Sequence, residues 1–249
     1  MDLRGKSALV TGGSRGLGAA LGETLAKRGA HVVLVAREEK ALAKIVEKIR
    51  AACAAGAPCE GGEAHGIAFD VGDKESAHRI TGAAAALVGP IDVLVQNAST
   101  LGPLPMPFLL DTACEDLQSA LETNLVGPFR IDKIIGGSMA LRKTGVIVHV
   151  SSDAAVNGYP KWGAYGVSKA ALDQLGRVLG AELSEHGVRV FSVDPGEMDT
   201  KMHADAMPDA DRATLERPER VAERIIAMIE KSDAIDPGAR LVVNDWSAQ

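Results

Sequence analysis

Cysteine is scarce and poorly spaced for metal binding: Cys53, Cys59 and Cys114 form no Cys-x-x-Cys pair. With no histidine close to any of them, a zinc site is excluded, and the three are expected to be reduced thiols of a cytoplasmic protein. The chain also lacks a basic stripe. Its Lys and Arg are spread out and its net charge is -6, which argues against nucleic acid as the main partner. No apolar run approaches the ~20 residues of a membrane-spanning helix. The charged start, Met-Asp-Leu-Arg-Gly-Lys, does not resemble a signal peptide. Internal repeats and low-complexity tracts are missing as well. What remains is ordinary soluble-protein composition, 46% apolar and 24% charged over 249 residues, rich in Ala and Gly and poor in aromatics. That length suits one domain over residues 1–249 with a single substantial core.

Short apolar runs alternate with stretches of helical periodicity. Ser7 to Val10 reads as a strand; Thr11-Gly12-Gly13-Ser14-Arg15-Gly16-Leu17-Gly18 follows, and Leu17, Leu21 and Leu25 then recur at helical spacing. Strand, glycine turn, helix is the order a phosphate-binding unit requires, because the helix start offers free N–H groups and positive dipole. The same glycines would also serve a plain turn. His31 to Ala36 is a second strand, apolar after its first residue, as helices on both faces of a parallel sheet demand. Dinucleotide folds that prefer NAD place an acid at that strand's end; here Ala36 and Arg37 follow, so Arg37 and Arg15 are expected to clamp a 2′-phosphate. Arg37 reads otherwise as a solvated arginine.

Further strands are expected at Ala64–Phe69, Ile91–Val95, Val146–Val150, Val188–Val193 and Leu241–Val243, with intervening helices including Asp73–Val88 and Pro218–Glu230. Ala54 to Glu63 reads as a surface loop. The pattern predicts an α/β fold, a Rossmann-like doubly wound parallel sheet of about seven strands with helices on both faces. A long helix from about Thr112 through Phe129 carries Asn124 on an apolar stretch, as a structural linchpin or a polar relay. Three prolines interrupt Thr100–Leu110, which walls a pocket or packs on a subunit partner, and Lys201–Glu216 suits a lid or a surface excursion. Tyr165 and Lys169, four positions apart on one helix face, pair a phenol with an ammonium that would lower its pKa.

Thr11-Gly12-x-x-x-Gly16-x-Gly18, Asp70, Asn97-Ala98, Asn124, Ser152, Tyr165-x-x-x-Lys169 and Pro195-Gly196 occur together in this order. On that set the chain resembles the classical short-chain dehydrogenases/reductases along nearly its full length. The resemblance implies a carbonyl/alcohol oxidoreductase in which Tyr165 is the general acid/base and Ser152 binds the substrate oxygen. Lys169 would tune the phenol and bind the nicotinamide ribose, and Asn124 would anchor a water linking Lys169 to solvent. It implies NADP(H) held by Gly12, Ser14, Arg15, Gly16, Leu17, Gly18, Arg37, Asp70, Val71, Asn97, Ala98, Tyr165, Lys169, Pro195, Gly196 and Thr200, and no metal. The family's usual Asn-Asn-Ala-Gly is replaced here by Gln96-Asn97-Ala98-Ser99. The partner implied is a small carbonyl or alcohol, acted on by a homodimer or homotetramer. A pterin-directed, sepiapterin-like reductase and a non-catalytic NADP(H)-sensing regulator are the alternatives.

Overall fold

Successive side chains of a strand face opposite ways, so runs that are apolar at every position need cover on both sides. In the computed structural model, which describes residues 1–54, 59 and 62–247, both sides are covered. The strands β1 (Ser7–Thr11), β2 (His31–Ala36), β3 (Glu63–Ala68), β4 (Val93–Gln96), β5 (Gly145–Val150), β6 (Val188–Asp194) and β7 (Arg240–Val242) form one sheet in the order β3-β2-β1-β4-β5-β6-β7. Every neighbouring pair is parallel. On one face, Ala8, Val10, Val32 and Leu34 pack with helices α1 (Gly16–Lys27), α2 (Glu39–Ala54) and α8 (Pro218–Glu230). On the other, Leu9, Val33, Val35 and Leu94 meet α3 (Ser76–Val88), α5 (Gly127–Arg142) and the far end of α6 (Gly163–Leu183). The chain reverses its direction of travel across the sheet between β1 and β4. Open α/β sheets bind ligands at the carboxyl ends of the strands beside such a switch.

Two sequence expectations are corrected. The helix expected from Thr112 is broken. It runs as α4 (Cys114–Leu121), passes through a wider π turn at Glu122–Val126, and resumes as α5. Asn124 sits in that turn, fully buried. Such π turns insert a residue without ending the helix and are frequent at functional sites. Cys53 and Cys59 are not free thiols but a disulfide, their Cα atoms 5.2 Å apart. Cys114 is free and exposed. Most of the loop expected between Ala54 and Glu63 lies outside the described residues. Lys201–Glu216 is more ordered than its composition suggests: it holds α7 (Lys201–Ala206) and returns to pair Met198 with Glu216.

Candidate functional site

A cleft of about 340 Å³ opens at the carboxyl ends of the strands. Every residue expected to hold the cofactor lies on its wall except Gly196. Chain geometry explains the glycines. At Gly12, φ is +70°, and an added Cβ would sit 2.7 Å from Asn97 Nδ2. At Gly18, a Cβ would come within 2.2 Å of the Gly12 carbonyl oxygen. Side chains there would collide with Asn97, Ala98 and the loop's own backbone, so glycine is what lets the turn, the start of α1 and the end of β4 pack together. The first turn of α1 has neither a side-chain cap nor an acidic residue, so its N–H groups and dipole are available to an anion.

Thr11, part of the glycine motif but given no role in the sequence reading, braces this cradle. Its hydroxyl oxygen accepts from the backbone N–H groups of Asn97 (3.0 Å) and Ala98 (3.1 Å). The Asn97 amide donates to the Thr11 carbonyl at 2.9 Å. The unusual Gln96 turns away from the cleft, donating to Asp132 Oδ1 (3.0 Å), and Asp132 pairs with His149 at 2.9 Å with both side chains fully buried. Gln96 is therefore absorbed below the site, whereas Ser99, the other departure from the family pattern, lies on the cleft wall and donates to Asn124 Oδ1 at 3.2 Å; Asn97 and Ala98 line the same wall. Arg37 is mostly exposed, its guanidinium 3.8 Å from Asp70. Arg15 is exposed beside it on the same wall. Thr200 caps α7 by accepting from the His203 N–H at 3.2 Å.

The predicted catalytic residues converge at the other end. Tyr165 is buried on the first turn of α6, edge-on to Trp162 with ring centroids 5.8 Å apart. Burial pushes its phenol up to about 12; the Ser152 hydroxyl pulls the other way, and the carboxylates of Asp194 and Asp153 add to the rise. The expectation that Lys169 lowers this pKa is thus corrected. The Lys169 ammonium lies 5.6 Å from the ring centroid and donates to the Val150 carbonyl at 2.7 Å, and the cost of burying the phenolate dominates. Lys169, 1% exposed, is itself pushed down to about 8 by burial, with Asp173 one turn away opposing the shift.

Ser152 and Asn124 are not on the wall of the main cleft. Ser152 Oγ donates to Asp153 Oδ1 at 3.0 Å, and the other Asp153 oxygen accepts from the Tyr159 hydroxyl at 2.8 Å. Asn124 is fully partnered: its amide donates to the Thr100 carbonyl and to Ser168 Oγ, both at 2.8 Å, and its oxygen accepts from the Thr100 N–H, also at 2.8 Å. These bonds join the loop after β4 to α6. A polar set missed in the sequence lies behind Ser152, where Arg240 of β7 bonds Asp173, Asp194 and the Ser152 carbonyl. The available signal was Asp173 within the helical pattern that follows Lys169. Among the described residues, no cluster of His, Cys, Asp and Glu is arranged to hold a metal, and no helix is long and apolar enough to cross a membrane.

The glycine-lined cradle, the buried ammonium and the phenol thus share one cleft, and the Ser152 hydroxyl meets the phenol from outside its wall. The family model described as short chain dehydrogenase matches residues 6–211. A short chain dehydrogenase of Pseudocercospora fijiensis is 37% identical over 208 residues, covering 82% of this chain and 63% of that one. L-xylulose reductase of Bos taurus is 34% identical over 216 residues, covering 86% and 81%. Among solved structures, an actinorhodin polyketide ketoreductase variant with NADPH superposes with a TM-score of 0.84 at 27% identity, covering 97% of both chains. The chain belongs to the short chain dehydrogenases, a family of oxidoreductases that use nicotinamide cofactors.

Proposed function

We propose that the protein is an NADPH-dependent reductase of a ketone or aldehyde. The observation that carries this reading is a buried phenol, Tyr165, facing the Ser152 hydroxyl at the end of a glycine-lined cleft with the Lys169 ammonium at its floor. The cradle fits a dinucleotide: glycines that let the loop pack closely against Asn97 and Ala98, an uncapped helix start, and Arg15 and Arg37 on the wall. When bound, the cofactor supplies the hydride. The chain's own work is to hold and move a proton. With its pKa up at about 12, Tyr165 is protonated at neutral pH. It gives its proton to a substrate oxygen that becomes strongly basic as it gains electrons. Ser152, whose one hydroxyl proton goes to Asp153 in the free protein, turns it to the same oxygen when substrate binds. Lys169 sets a positive charge beneath the site and is placed to bind a ribose hydroxyl.

Mixing the protein with NADPH and a panel of neutral ketones and aldehydes should consume the reduced-nicotinamide absorbance. Turnover confined to pterins favours the sepiapterin-like reading, which the Tyr159–Trp162–Tyr165 aromatic run supports as a wall for a planar ring. Tight NADPH binding without turnover favours a sensor. Charge-assisted bonds from Arg37 to a 2′-phosphate are worth about 1.5–3 kcal/mol, so Arg37→Asp should cut the NADPH-over-NADH preference in kcat/KM by about 10- to 100-fold. An unchanged ratio would remove Arg37 from the cofactor assignment. Exposed Phe129 and Leu141 on α5, with Val167 and Val178 on α6, support the homodimer or homotetramer implied by the sequence.

Asp153 bears on the substrate. Its carboxylate holds the Ser152 hydroxyl at 3.0 Å. A substrate acid group next to the reacting carbonyl would therefore lie about 6–8 Å from a fixed negative charge, a repulsion of about 1–2 kcal/mol in a partly solvated site. Neutral carbonyl compounds fit better. Asp153→Asn should raise kcat/KM for a 2-oxo acid relative to its neutral amide by about tenfold, and steady-state kinetics on the two substrates checks this.

A further inference from the structure

Arg240 has no place in the site as read from the sequence, yet it touches three elements that build it. It opens β7 at the far edge of the sheet, with its side chain only 13% exposed. Its Nε donates to Asp173 Oδ2 at 3.0 Å, on α6 one turn beyond Lys169. Its Nη2 donates to Asp194 Oδ2 at 2.8 Å and to the Ser152 carbonyl at 2.9 Å. Asp194 in turn accepts, through Oδ1, the N–H of Gly196 at 3.0 Å, which closes the turn beside Pro195 on the cleft wall. Both carboxylates are nearly fully buried. Two buried anions without a cation would be costly, and a planar guanidinium is the side chain whose donors span three acceptors at once.

Resting on the reductase reading above, we propose that Arg240 is a positioning residue: it locks Ser152, the helix that carries Tyr165 and Lys169, and the turn at Pro195-Gly196 into one unit. Its role is geometric and electrostatic together. The charged groups that act on the pair are Asp173 on Lys169, and Asp194 and Asp153 on Tyr165; Arg240 on β7 bonds Asp173 and Asp194. Arg240 offsets the two carboxylates, and so limits how far Asp173 favours the charged form of Lys169 and how far Asp194 opposes ionisation of Tyr165.

The test separates charge from geometry with Arg240→Lys and Arg240→Met. Three readouts apply: NADPH affinity by fluorescence, turnover, and the titration of Lys169 followed by NMR of ε-carbon-labelled lysine and assigned with Lys169→Met. Arg240→Lys keeps the cation but not the fork, so turnover should fall about tenfold or more while the Lys169 titration stays at its wild-type position. Arg240→Met should lower turnover and also move that titration upward by about one pH unit. Should Arg240→Met fail to fold, combining it with Asp173→Asn and Asp194→Asn removes the carboxylates along with their cation. That variant should still lose turnover, and its Lys169 should titrate lower than in the wild type, since Asp173 no longer favours the ammonium. Wild-type turnover, NADPH affinity and Lys169 titration in a folded variant without Arg240 would overturn the proposal. If the wild type reduces no carbonyl compound, the reductase reading fails, while the titration and NADPH affinity still decide the role of Arg240.

Discussion

Replacing Tyr165 with Phe is expected to lower kcat for carbonyl reduction by about 10³-fold, within the range attributed to a well-placed general acid. NADPH affinity should be unchanged. The phenol is a buried proton donor that faces Ser152, and the substitution removes a single oxygen while leaving the ring against Trp162. Stability should move little in comparison, and at high pH in a defined direction. A phenol held up at about 12 in the fold and near 10 when unfolded leaves stability intact below pH 10, then erodes it as pH climbs toward 12. Tyr165→Phe should abolish that erosion, which denaturant unfolding at a series of alkaline pH values would record.

Lys169→Met is the second large effect, and it acts on activity and stability in opposite senses. Activity should fall to the level of Tyr165→Phe, because the variant loses the positive charge beneath the site. Stability follows from linkage. Lys169 titrates at about 8 in the fold against 10.5 for a lysine in water, so between those values the unfolded chain binds more protons than the folded one. The wild type therefore gains stability as pH rises through this window, and below it the buried ammonium costs the fold about 3 kcal/mol. Methionine does not titrate and lacks this slope. The stability of Lys169→Met relative to wild type should fall by about 2–3 kcal/mol between pH 7 and pH 10, measured by chemical unfolding. Using the slope sets aside the roughly constant loss of the bond to Val150. A buried charge retained at such a cost is the pattern of a site kept for function over stability.

The parts of the fold set by local pattern were readable in the residues. Strands covered on both faces must be apolar at nearly every position, so β1, β2, β5 and β6 stand out within a residue or two of their ends. The pairing of Tyr165 with Lys169 follows from helical spacing, and the cradle from its glycines. What depends on the meeting of distant segments was hidden. Helical periodicity continues across the π turn at Asn124, so nothing local marks the inserted residue. The sign of the shift at Tyr165 is decided by desolvation, which exists only once the chain is packed. Arg240 meets Asp173 across 67 residues and Asp194 across 46, and no spacing rule links them. The disulfide escaped because an odd, irregular cysteine count carries no signal of which pair closes.

Hydride delivery to a carbonyl carbon, with the proton from Tyr165, is the central claim. Its most direct test is incubation of the wild-type protein with NADPH deuterated at the transferable position and a panel of neutral ketones and aldehydes, the alcohols being analysed by mass spectrometry. The account predicts one deuterium on the carbinol carbon with the wild type and almost none formed by Tyr165→Phe under the same conditions. Saturating NADPH binding with no labelled alcohol from any substrate, or equal labelling by Tyr165→Phe, would contradict it.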